Sequence, residues 1–455
     1  MQKTIQIIMS KAVIFLMVIN LVMSLKAQES SSSVKHLTLD NCINIALEQN
    51  PDYQLMKQRT HVSEAALKNA NGQYFPQADF SASYNRQLLN NGAKKMSVMG
   101  QVIEVPGAEP NSFSTGIGIN YNLFDGFNRS NNYKRAQLNL QSSDYNLKAF
   151  KNQLINNINK AYVEVIKKIQ EISIQSHNYS LGKDQLAEIK AKFEAGAIHI
   201  GVVASQEAEL ANREFAIVQA ENDLNNSKLN LLNLIGMPLN TEISLSAESV
   251  PFSNDAIGMK QVMEKYSDIE MLYNNAINNR NDILAFNNTI EAAKLSMESA
   301  HSGYYPKLAA NAGWSWSNSK LEQFSEMSRA YVGASLSFPL FDQFQTNYQI
   351  ENAKYEVMQN ETELFKLKQN IRNAISLSHH NLILASKQLE IGDRALAAAQ
   401  KNYDIAKERF NLGSASITDF ITANNSFVVA QINRNNAFYN FYIAQREIEY
   451  QIANQ

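Results

Sequence analysis

The side chains that most often catalyse reactions or bind metals are few and scattered in this chain of 455 residues. It has seven histidines and one cysteine, Cys42. His379 and His380 are adjacent, and adjacent residues of a helix point to different faces, so these two do not converge on one metal. There is no Gly-rich phosphate loop, no HExxH and no nucleophile elbow. The sequence therefore predicts no catalysis, no cofactor and no metal site, and Cys42 is predicted to be a buried thiol.

The charge pattern argues against a nucleic-acid partner. The formal net charge is −2, and no block of like charges occurs. A basic patch for nucleic acid or a basic membrane-surface helix is therefore not indicated. With 45% hydrophobic and 18% charged residues, the composition is typical of a folded chain.

Residues 1–27 read as a secretory signal peptide. Lys3 and Lys11 precede an apolar run over residues 12–25, which is shorter than the roughly 20 residues that span a bilayer. An uncleaved anchor is the minor alternative. Removal of this segment takes away three lysines and no acidic residue, so the net charge changes from −2 to −5. We expect an exported, mildly acidic protein.

Two pairs of segments alternate apolar and polar residues, which is typical of strands with one apolar face. The apolar positions of the first pair are Ala78, Phe80, Ala82 and Tyr84, followed by Phe113, Ile117, Ile119, Tyr121 and Leu123. The apolar positions of the second pair are Leu308, Ala310, Ala312, Trp314 and Trp316, followed by Val332, Ala334, Leu336, Phe338 and Leu340. Each run is near the length of about 9–11 residues that a tilted strand needs to cross a bilayer.

The strands have two interpretations. They form either amphipathic hairpins that cover a soluble core or part of a membrane barrel. Aromatic residues favour the barrel. Both tryptophans of the chain, Trp314 and Trp316, fall on one apolar face, and Tyr84 and Tyr121 occupy matching faces. Such residues form the aromatic girdle at the surfaces of the membrane, so outer-membrane lipid is a predicted partner.

The chain contains an internal repeat. Asp52 and Pro76 recur 230 positions later as Asp282 and Pro306, at matching places before a strand. After the strands the separation falls to 217 positions, as between Gly196 and Gly413. The first hairpin therefore has the longer loop. The predicted organisation is a signal peptide at 1–27, a first repeat at 28–236, a linker at 237–258 and a second repeat at 259–455.

Each repeat contains a very long helix with a heptad seam. The seam positions of the first repeat are Ile158, Val165, Ile172, Tyr179, Leu186 and Phe193, and those of the second are Ile375, Leu382, Leu389, Leu396, Tyr403 and Phe410. A return helix follows each, with Arg434 at a position where an apolar residue is expected. Arg434 either lines a water-exposed surface or pairs with a residue of another helix.

Four strands cannot close a membrane barrel, because the smallest single-chain barrels use eight. An open sheet edge is not tolerated in lipid. At least two copies of the chain must therefore share one barrel, although strand pairing does not fix their number.

Several motifs together resemble the TolC family of outer-membrane efflux proteins, over nearly all of the sequence after the signal peptide. The first copy carries LTLDNCINIALEQNPDY, GQYFPQ, YNLFDG and FEAGAIHIGVVASQEAEL. The second carries NNRNDILAFNN, SGYYPKL, FPLFDQ and RFNLGSASITDFITANNSF. The resemblance rests on the order, spacing and duplication of these motifs.

The resemblance implies an α+β membrane protein. It implies a homotrimer whose 12-stranded barrel, with four strands per chain, crosses the outer membrane and continues as an α-helical coiled-coil barrel in the periplasm. It also implies an exit duct for an inner-membrane efflux pump or type I secretion transporter. A periplasmic adaptor, or membrane fusion protein, would connect the two.

The tips of the helical hairpins carry the functional residues that the resemblance implies. Gly196 with Ala197, and Gly413 with Ser414, match turns that dock the adaptor and border an iris-like entrance. As an ordinary structural feature, each glycine would simply end a helix. Asp419 matches an aspartate that lines the constriction, and it could equally cap a helix start. Three copies of Asp419 would attract cations and raise one another's pKa.

The constriction departs from the family pattern. Thr422 replaces a second aspartate, Phe410 and Ala415 replace a latch of tyrosine and arginine, and Val202 replaces an acidic residue in the first tip. We therefore expect closure by packing of aromatic residues more than by ionic bonds. The residues that do this are Phe193, Phe410 and Phe420.

A structural protein is the competing hypothesis. In that reading the chain is an exported soluble coiled-coil scaffold or periplasmic adaptor, and the hairpins are small sheets. Retention in the outer membrane after an alkaline or high-salt wash would distinguish the channel from the scaffold.

Overall fold

The computed structural model describes residues 34–89, 92–98, 100–105, 109–246 and 256–453. The predicted signal peptide at 1–27 lies outside them. Strands in this part of the chain are β1 (Lys35–Leu37), β2 (Gln77–Arg86), β3 (Lys94–Val98), β4 (Gln101–Val105), β5 (Asn111–Phe124), β6 (Ile243–Leu245), β7 (Lys307–Asn318) and β8 (Ser328–Ser337). Helices are α1 (Leu39–Gln49), α2 (Pro51–Gly72), α3 (Asn128–Glu194), α4 (Ile200–Ile235), α5 (Ala256–Lys265), α6 (Ile269–Asn279), α7 (Asn281–Ala300), α8 (Phe324–Met327), α9 (Gln345–Asn411) and α10 (Ile417–Gln451).

The chain divides into two compact units, and each takes segments from both predicted repeats. The tip unit comprises Met1–Pro51, Gln153–Ser267 and His379–Ile448. The sheet unit comprises Asp52–Asn152, Asp268–Ser378 and Glu449–Gln455. The helices α3 and α9 run through both.

The two long predicted helices are present. Each of α3 and α9 has 67 residues, which corresponds to about 100 Å at 1.5 Å per residue. The heptad positions that the structure buries completely or almost completely are Ile158, Val165, Ile375, Leu382 and Leu389. The seam therefore packs as the period predicts.

Arg434 pairs across helices. Its Nε donates a hydrogen bond to Asp393 Oδ1 of α9 at 3.0 Å. The two helices approach closely here, because a Cβ added to Gly392 would lie 3.3 Å from the Arg434 Cα. A small residue on α9 thus accommodates the arginine of α10.

The sheet unit contains a four-stranded antiparallel sheet in the order β2-β5-β7-β8. The register places Phe80 opposite Ile117, Ile117 opposite Trp314, and Trp314 opposite Ala330. Paired residues of neighbouring strands lie on the same face, so the predicted apolar positions form one continuous apolar face. The residues of the other face are mostly polar or glycine.

That apolar face is open in the single chain. Phe80 is 71% exposed and Val332 is 85% exposed. Among the described strands, β2 and β8 each pair on one side only, so the sheet has two free edges.

Three details differ from the predicted strands. A bulge near the end of β5 places Phe124, and not the predicted Leu123, opposite Leu308. β8 ends at Ser337, so Phe338 and Leu340 lie beyond it. Pro339, which follows Phe338, has no N–H to donate to a ladder. In addition, the long loop after β2 contains a small hairpin formed by β3 and β4.

The predicted linker at 237–258 contains a strand. β6 pairs in parallel with β1, and the Tyr162 hydroxyl donates to the carbonyls of Leu37 at 3.2 Å and Ser246 at 2.8 Å. Residues 247–255 of this linker lie outside the described residues.

The turns from strand to long helix have matching geometry. Asp125 Oδ2 accepts a hydrogen bond from the Arg129 N–H at 2.9 Å, before α3. Asp342 Oδ2 accepts from the Thr346 N–H at 2.8 Å, before α9. Hydrogen bonds from Thr346 lower the pKa of Asp342. Both carboxylates satisfy N–H groups at a helix start.

Candidate functional site

Two glycines end the long helices at the tips of the helical hairpins. Gly196 and Gly413 have φ values of +73° and +70°, a left-handed conformation that favours glycine. Gly196 N–H donates to Phe193 O, and Ala197 N–H donates to Lys192 O, each at 2.9 Å. This pair of hydrogen bonds defines a Schellman motif.

The second tip repeats this geometry. Gly413 N–H donates to Phe410 O at 3.0 Å, and Ser414 N–H donates to Arg409 O at 2.8 Å. The Ser414 hydroxyl also donates to Arg409 O at 3.1 Å. The predicted helix-ending role of both glycines is confirmed.

Asp419 lies in the first turn of α10 and forms a capping box with Ser416. Asp419 Oδ2 accepts from the Ser416 hydroxyl at 2.8 Å and from the Ser416 N–H at 3.2 Å. In return, the Asp419 N–H donates to Ser416 Oγ at 3.1 Å. The Ser416 side-chain and backbone hydrogen bonds lower the pKa of Asp419. Ser416 was not predicted from the sequence, although S-x-x-D before a helix is a recognisable capping signal.

The first tip has no such box. His199 occupies the N-cap position of α4, and its side chain makes no capping hydrogen bond. Val202 stands three residues later, where the second tip has Asp419. The two tips therefore share their helix endings and differ in their helix starts.

An aromatic cluster packs behind the second tip. The rings of Phe410 and Phe420 stack with centroids 5.4 Å apart, and the rings of Tyr403 and Phe427 stack at 5.3 Å. Phe420 and Tyr403 are buried together with Ile189 and Val203 of the other hairpin in one apolar core cluster, against which Phe410 and Phe427 also pack. Burial raises the pKa of Tyr403.

Phe410 also meets the first hairpin. The Lys192 ammonium lies 5.5 Å from the centre of the Phe410 ring, a cation–π distance. Phe193, by contrast, is 39% exposed and stands outside the buried part of the cluster. Thr422 is exposed, and its hydroxyl donates to Thr418 O within its own helix at 2.8 Å.

A groove of about 770 Å³ lies between the two tips. Residues of both hairpins line it, including Lys192, His199, Val202, Phe410, Leu412 and Ile417. Ala197 and Gly413 also border the groove, so the structure brings together residues of both predicted docking turns.

The four predicted girdle residues lie on the apolar face of the sheet. Tyr84 stacks on Phe113 with centroids 4.8 Å apart, at the end of the sheet where Trp316 also lies. Trp316 is buried beneath Phe324 at 4.1 Å, and its Nε1 donates to Gln323 O.

The other two girdle residues lie elsewhere along the strands. Tyr121 is opposite Ala310, at the far end of the sheet from Tyr84. Arg129 lies 5.5 Å from the centre of the Tyr121 ring. Trp314 is opposite Ile117, near the middle of β5.

The remaining candidate chemical groups are isolated. Across the described ranges, no three His, Cys, Asp or Glu side chains are grouped to hold a metal ion. Burial raises the pKa of Cys42 to about 12, so this thiol stays protonated. Burial, together with His380, lowers the pKa of His379. In the same part of the chain, no helix is both long enough and apolar enough to cross a membrane.

Known proteins are similar to this chain in sequence and in fold. The sequence profile of the family described as "Outer membrane efflux protein" matches residues 42–237 and 272–453. The chain is 22% identical to outer membrane efflux protein BepC of Brucella suis over 401 residues, which covers 87% of this chain and 80% of that protein. It is 20% identical to outer membrane protein TolC of Vibrio cholerae over 422 residues, 91% of this chain and 90% of that protein.

A solved structure has the same fold. The CmeC outer membrane channel of Campylobacter jejuni superposes with a TM-score of 0.72 at 17% identity, over 91% of this chain and 85% of that chain. The profile match covers well over half of the sequence. The chain therefore belongs to the outer membrane efflux protein family and is an outer-membrane efflux channel that extends into the periplasm.

Proposed function

We propose that three copies of the chain share one 12-stranded barrel in the outer membrane, which continues in the periplasm as an α-helical barrel with a closable entrance. The observation that carries this proposal is the sheet of a single chain, which has an exposed apolar face and two free edges. An edge in lipid leaves backbone N–H and C=O groups without partners, so each edge needs a strand from another copy.

The strand order suits closure by identical copies. The four strands alternate in direction, so the β8 edge of one chain would be antiparallel to the β2 edge of the next. Two copies would give eight strands and three would give twelve, and bacterial barrels with even strand numbers accept either. The family resemblance supports three copies.

Aromatic residues at the two ends of the sheet support a membrane position. Tyr84 lies toward one end of the apolar face, where Phe324 covers Trp316, and Tyr121 lies toward the other. Aromatic girdles occupy both surfaces of the membrane around outer-membrane barrels.

Duplicated local geometry supports two structural repeats. The Asp125 and Asp342 turns match, and so do the helix ends at Gly196 and Gly413. Two hairpins and two helical hairpins from each chain would then contribute to a common wall.

An exposed apolar row on α9 supports contact between copies in the helical barrel. Four residues of α9 that are seven positions apart are exposed although they are apolar: Leu384, Ile391, Ala398 and Ile405. A seven-residue apolar repeat on a helix face is typical of a coiled-coil seam. A helix of a neighbouring copy would cover it.

The gate is assigned to the second tip. In the trimer, Asp419 and Thr422 would line the constriction, and packing of Phe410 on Phe420 would hold the inner helices closed. Three Asp419 carboxylates near one axis would prefer cations. Their mutual repulsion would raise their pKa, against the lowering by Ser416.

The groove between the tips is proposed to dock a periplasmic adaptor protein. Ala197 and Gly413 line it, next to Gly196 and Ser414 of the same two turns, and the groove offers apolar side chains together with Lys192. An inner-membrane efflux pump or a type I secretion transporter would supply the energy. The competing scaffold hypothesis is wrong, because the chain belongs to an outer-membrane channel family.

Single-channel conductance in planar bilayers tests this proposal. Wild type is compared with Asp419→Asn under a salt gradient, since asparagine keeps a capping oxygen and removes only the charge. We expect discrete channels that prefer cations and lose much of that preference in Asp419→Asn. Ser416→Ala is the matched control, because it weakens the cap and keeps the charge. Unchanged selectivity in Asp419→Asn would contradict the ring of carboxylates.

A further inference from the structure

A buried polar layer lies next to the aromatic cluster of the tip unit. It consists of Asn178 on α3, Gln206, Glu209 and Arg213 on α4, and Asn424 on α10. Asn424 is one helical turn from Phe420, and Gln206 is one turn from Val203, so both share a helix face with a member of the core cluster. The layer therefore adjoins the packing that closes the tips.

One hydrogen bond in this layer joins the two helical hairpins, and two others lie within the first hairpin. The Asn424 Nδ2 donates to Asn178 Oδ1 at 3.0 Å, which connects α10 to α3. Arg213 Nη1 donates to the Asn178 carbonyl at 2.9 Å, and Arg213 Nε donates to Glu209 Oε1 at 3.2 Å. Asn424 is 1% exposed and Arg213 is 3% exposed. The ion pair of Glu209 with Arg213 and the side-chain amides of Asn178 and Asn424 are thus shielded from water.

The layer is incompletely satisfied. Within the described chain, Nη2 of Arg213 and Oε1 of Gln206 are buried and make no hydrogen bond. A buried donor or acceptor without a partner destabilises the packed state, since water would satisfy it in the open state. A buried ion pair commonly contributes less stability than apolar side chains of similar volume.

The helix beside the layer is weakened as well. Gly182 lies inside α3, where glycine stabilises a helix less than alanine does. A Cβ at this position would lie 2.8 Å from Arg213 Nη1. The glycine therefore makes room for the guanidinium on the helix surface.

We propose that the buried polar layer is the level at which the two helical hairpins separate when the tips open. Its residues weaken the closed packing, and water that enters the layer during opening hydrates Arg213, Glu209 and Gln206. The aromatic cluster closes the tips, and the polar layer keeps that closure reversible. This inference rests on the proposed gate.

Hydrogen exchange by mass spectrometry on the detergent-purified protein tests the layer. The triple variant Gln206→Leu, Glu209→Leu and Arg213→Met replaces the polar groups with apolar ones of similar size. We expect amide exchange in segments 186–206 and 413–427 to slow by about tenfold or more, as replacement of a buried ion pair predicts. Unchanged or faster exchange in a folded triple variant would overturn the proposal.

A pair of single variants keeps the test decisive if the triple variant does not fold. Glu209→Gln leaves the buried guanidinium without its carboxylate, so exchange in the same segments should become at least several-fold faster. Glu207→Gln is the matched control, because Glu207 lies on α4 as Glu209 does, and its ion pair with Lys190 of α3 is half-exposed. Equal exchange in the two variants would overturn the proposal.

Conductance of the same variants distinguishes the layer from the gate. If the layer controls the gate, the triple variant opens less often and Glu209→Gln opens more often. If amide exchange changes as expected and conductance does not, the packing has changed without an effect on ion flow. That result would contradict the proposed gate at the tips. Unchanged exchange would contradict the polar layer whatever the conductance.

Discussion

Asp419 has two connected roles at the scale of a single residue. Its carboxylate caps α10 through Ser416, and the same carboxylate is proposed to face the channel axis. The cap holds the first turn of α10 in place, and this turn carries the proposed gate residue Phe420. The helix start and the proposed constriction would therefore depend on the same few atoms.

Removal of the cap should loosen the start of α10. Ser416→Ala deletes the hydroxyl that bonds Asp419, and loss of an N-cap destabilises a helix by about 1 kcal/mol. We expect faster amide exchange at residues 417–421, measured by mass spectrometry. Ser205→Ala is the control, since the Ser205 hydroxyl bonds a carbonyl in its own helix without capping it. Equal exchange in both variants would show that the capping box is not important.

The pH dependence of the cap in the single chain follows from the direction of the pKa shift. Ser416 lowers the pKa of Asp419 in the folded chain. The stabilisation by this cap is therefore present above the unfolded pKa, about 3.9, and is lost as pH falls through the lower folded value. In the trimer, repulsion between three carboxylates would move this loss to higher pH.

The left-handed glycines at the tips should not tolerate a side chain. Gly413→Ala places a Cβ at a φ of +70°, and we expect this strain to destabilise the turn by about 1 kcal/mol. Limited proteolysis of the tip measures the effect as faster cleavage near residue 413. Gly72→Ala serves as control, because it has open space and no positive φ. Equal cleavage of both variants would contradict the role of Gly413.

At the scale of elements, the apolar row on α9 is expected to hold neighbouring copies together. Ile391→Glu introduces a charge into this exposed row, and burial of an unpaired charge at an interface is strongly unfavourable. Native mass spectrometry should show fewer trimers, while circular dichroism shows unchanged helix content. Ala397→Glu, which adds the same charge at an exposed site about 100° around the helix from the row, should leave the trimer intact. A stable Ile391→Glu trimer would place the seam elsewhere.

Elements with a clear period were predictable from sequence. The heptads of α3 and α9 and the alternation of β2, β5 and β7 have the predicted type and nearly the predicted bounds. β8 ends earlier than predicted because Pro339 follows it closely. The hairpin of β3 and β4 was not predicted, since a short strand pair inside a loop has no period long enough to recognise.

The candidate site was only partly predictable. Gly196 and Gly413 were identified because glycine after a long helix has a specific conformational meaning. The polar layer was not identified, because Asn178 and Asn424 are distant in sequence and meet only through tertiary packing. A polar residue in a long helix usually faces water, so the pattern gave no reason to expect its burial.

At the scale of the whole molecule, the single chain is an incomplete membrane protein. Its sheet exposes apolar side chains and has two free edges, and α9 exposes an apolar row. In the assembly, lipid would contact the apolar sheet face and neighbouring chains would pair the free edges. A helix of a neighbouring chain would cover the row on α9. The family assignment to outer-membrane efflux proteins agrees with this requirement.

Cysteine cross-linking between the sheet edges tests the shared barrel most directly. In a Cys42→Ala background, one cysteine is placed in β2, at Ser81 or Ser83, and one in β8, at Gly333 or Ser335. Within one sheet these strands are three spacings apart, about 14 Å, which is too far for a disulfide. We predict that at least one pairing gives covalent dimers and trimers and nothing larger. The absence of cross-links in every pairing, or a ladder that stops at dimers, would contradict a barrel shared by three chains.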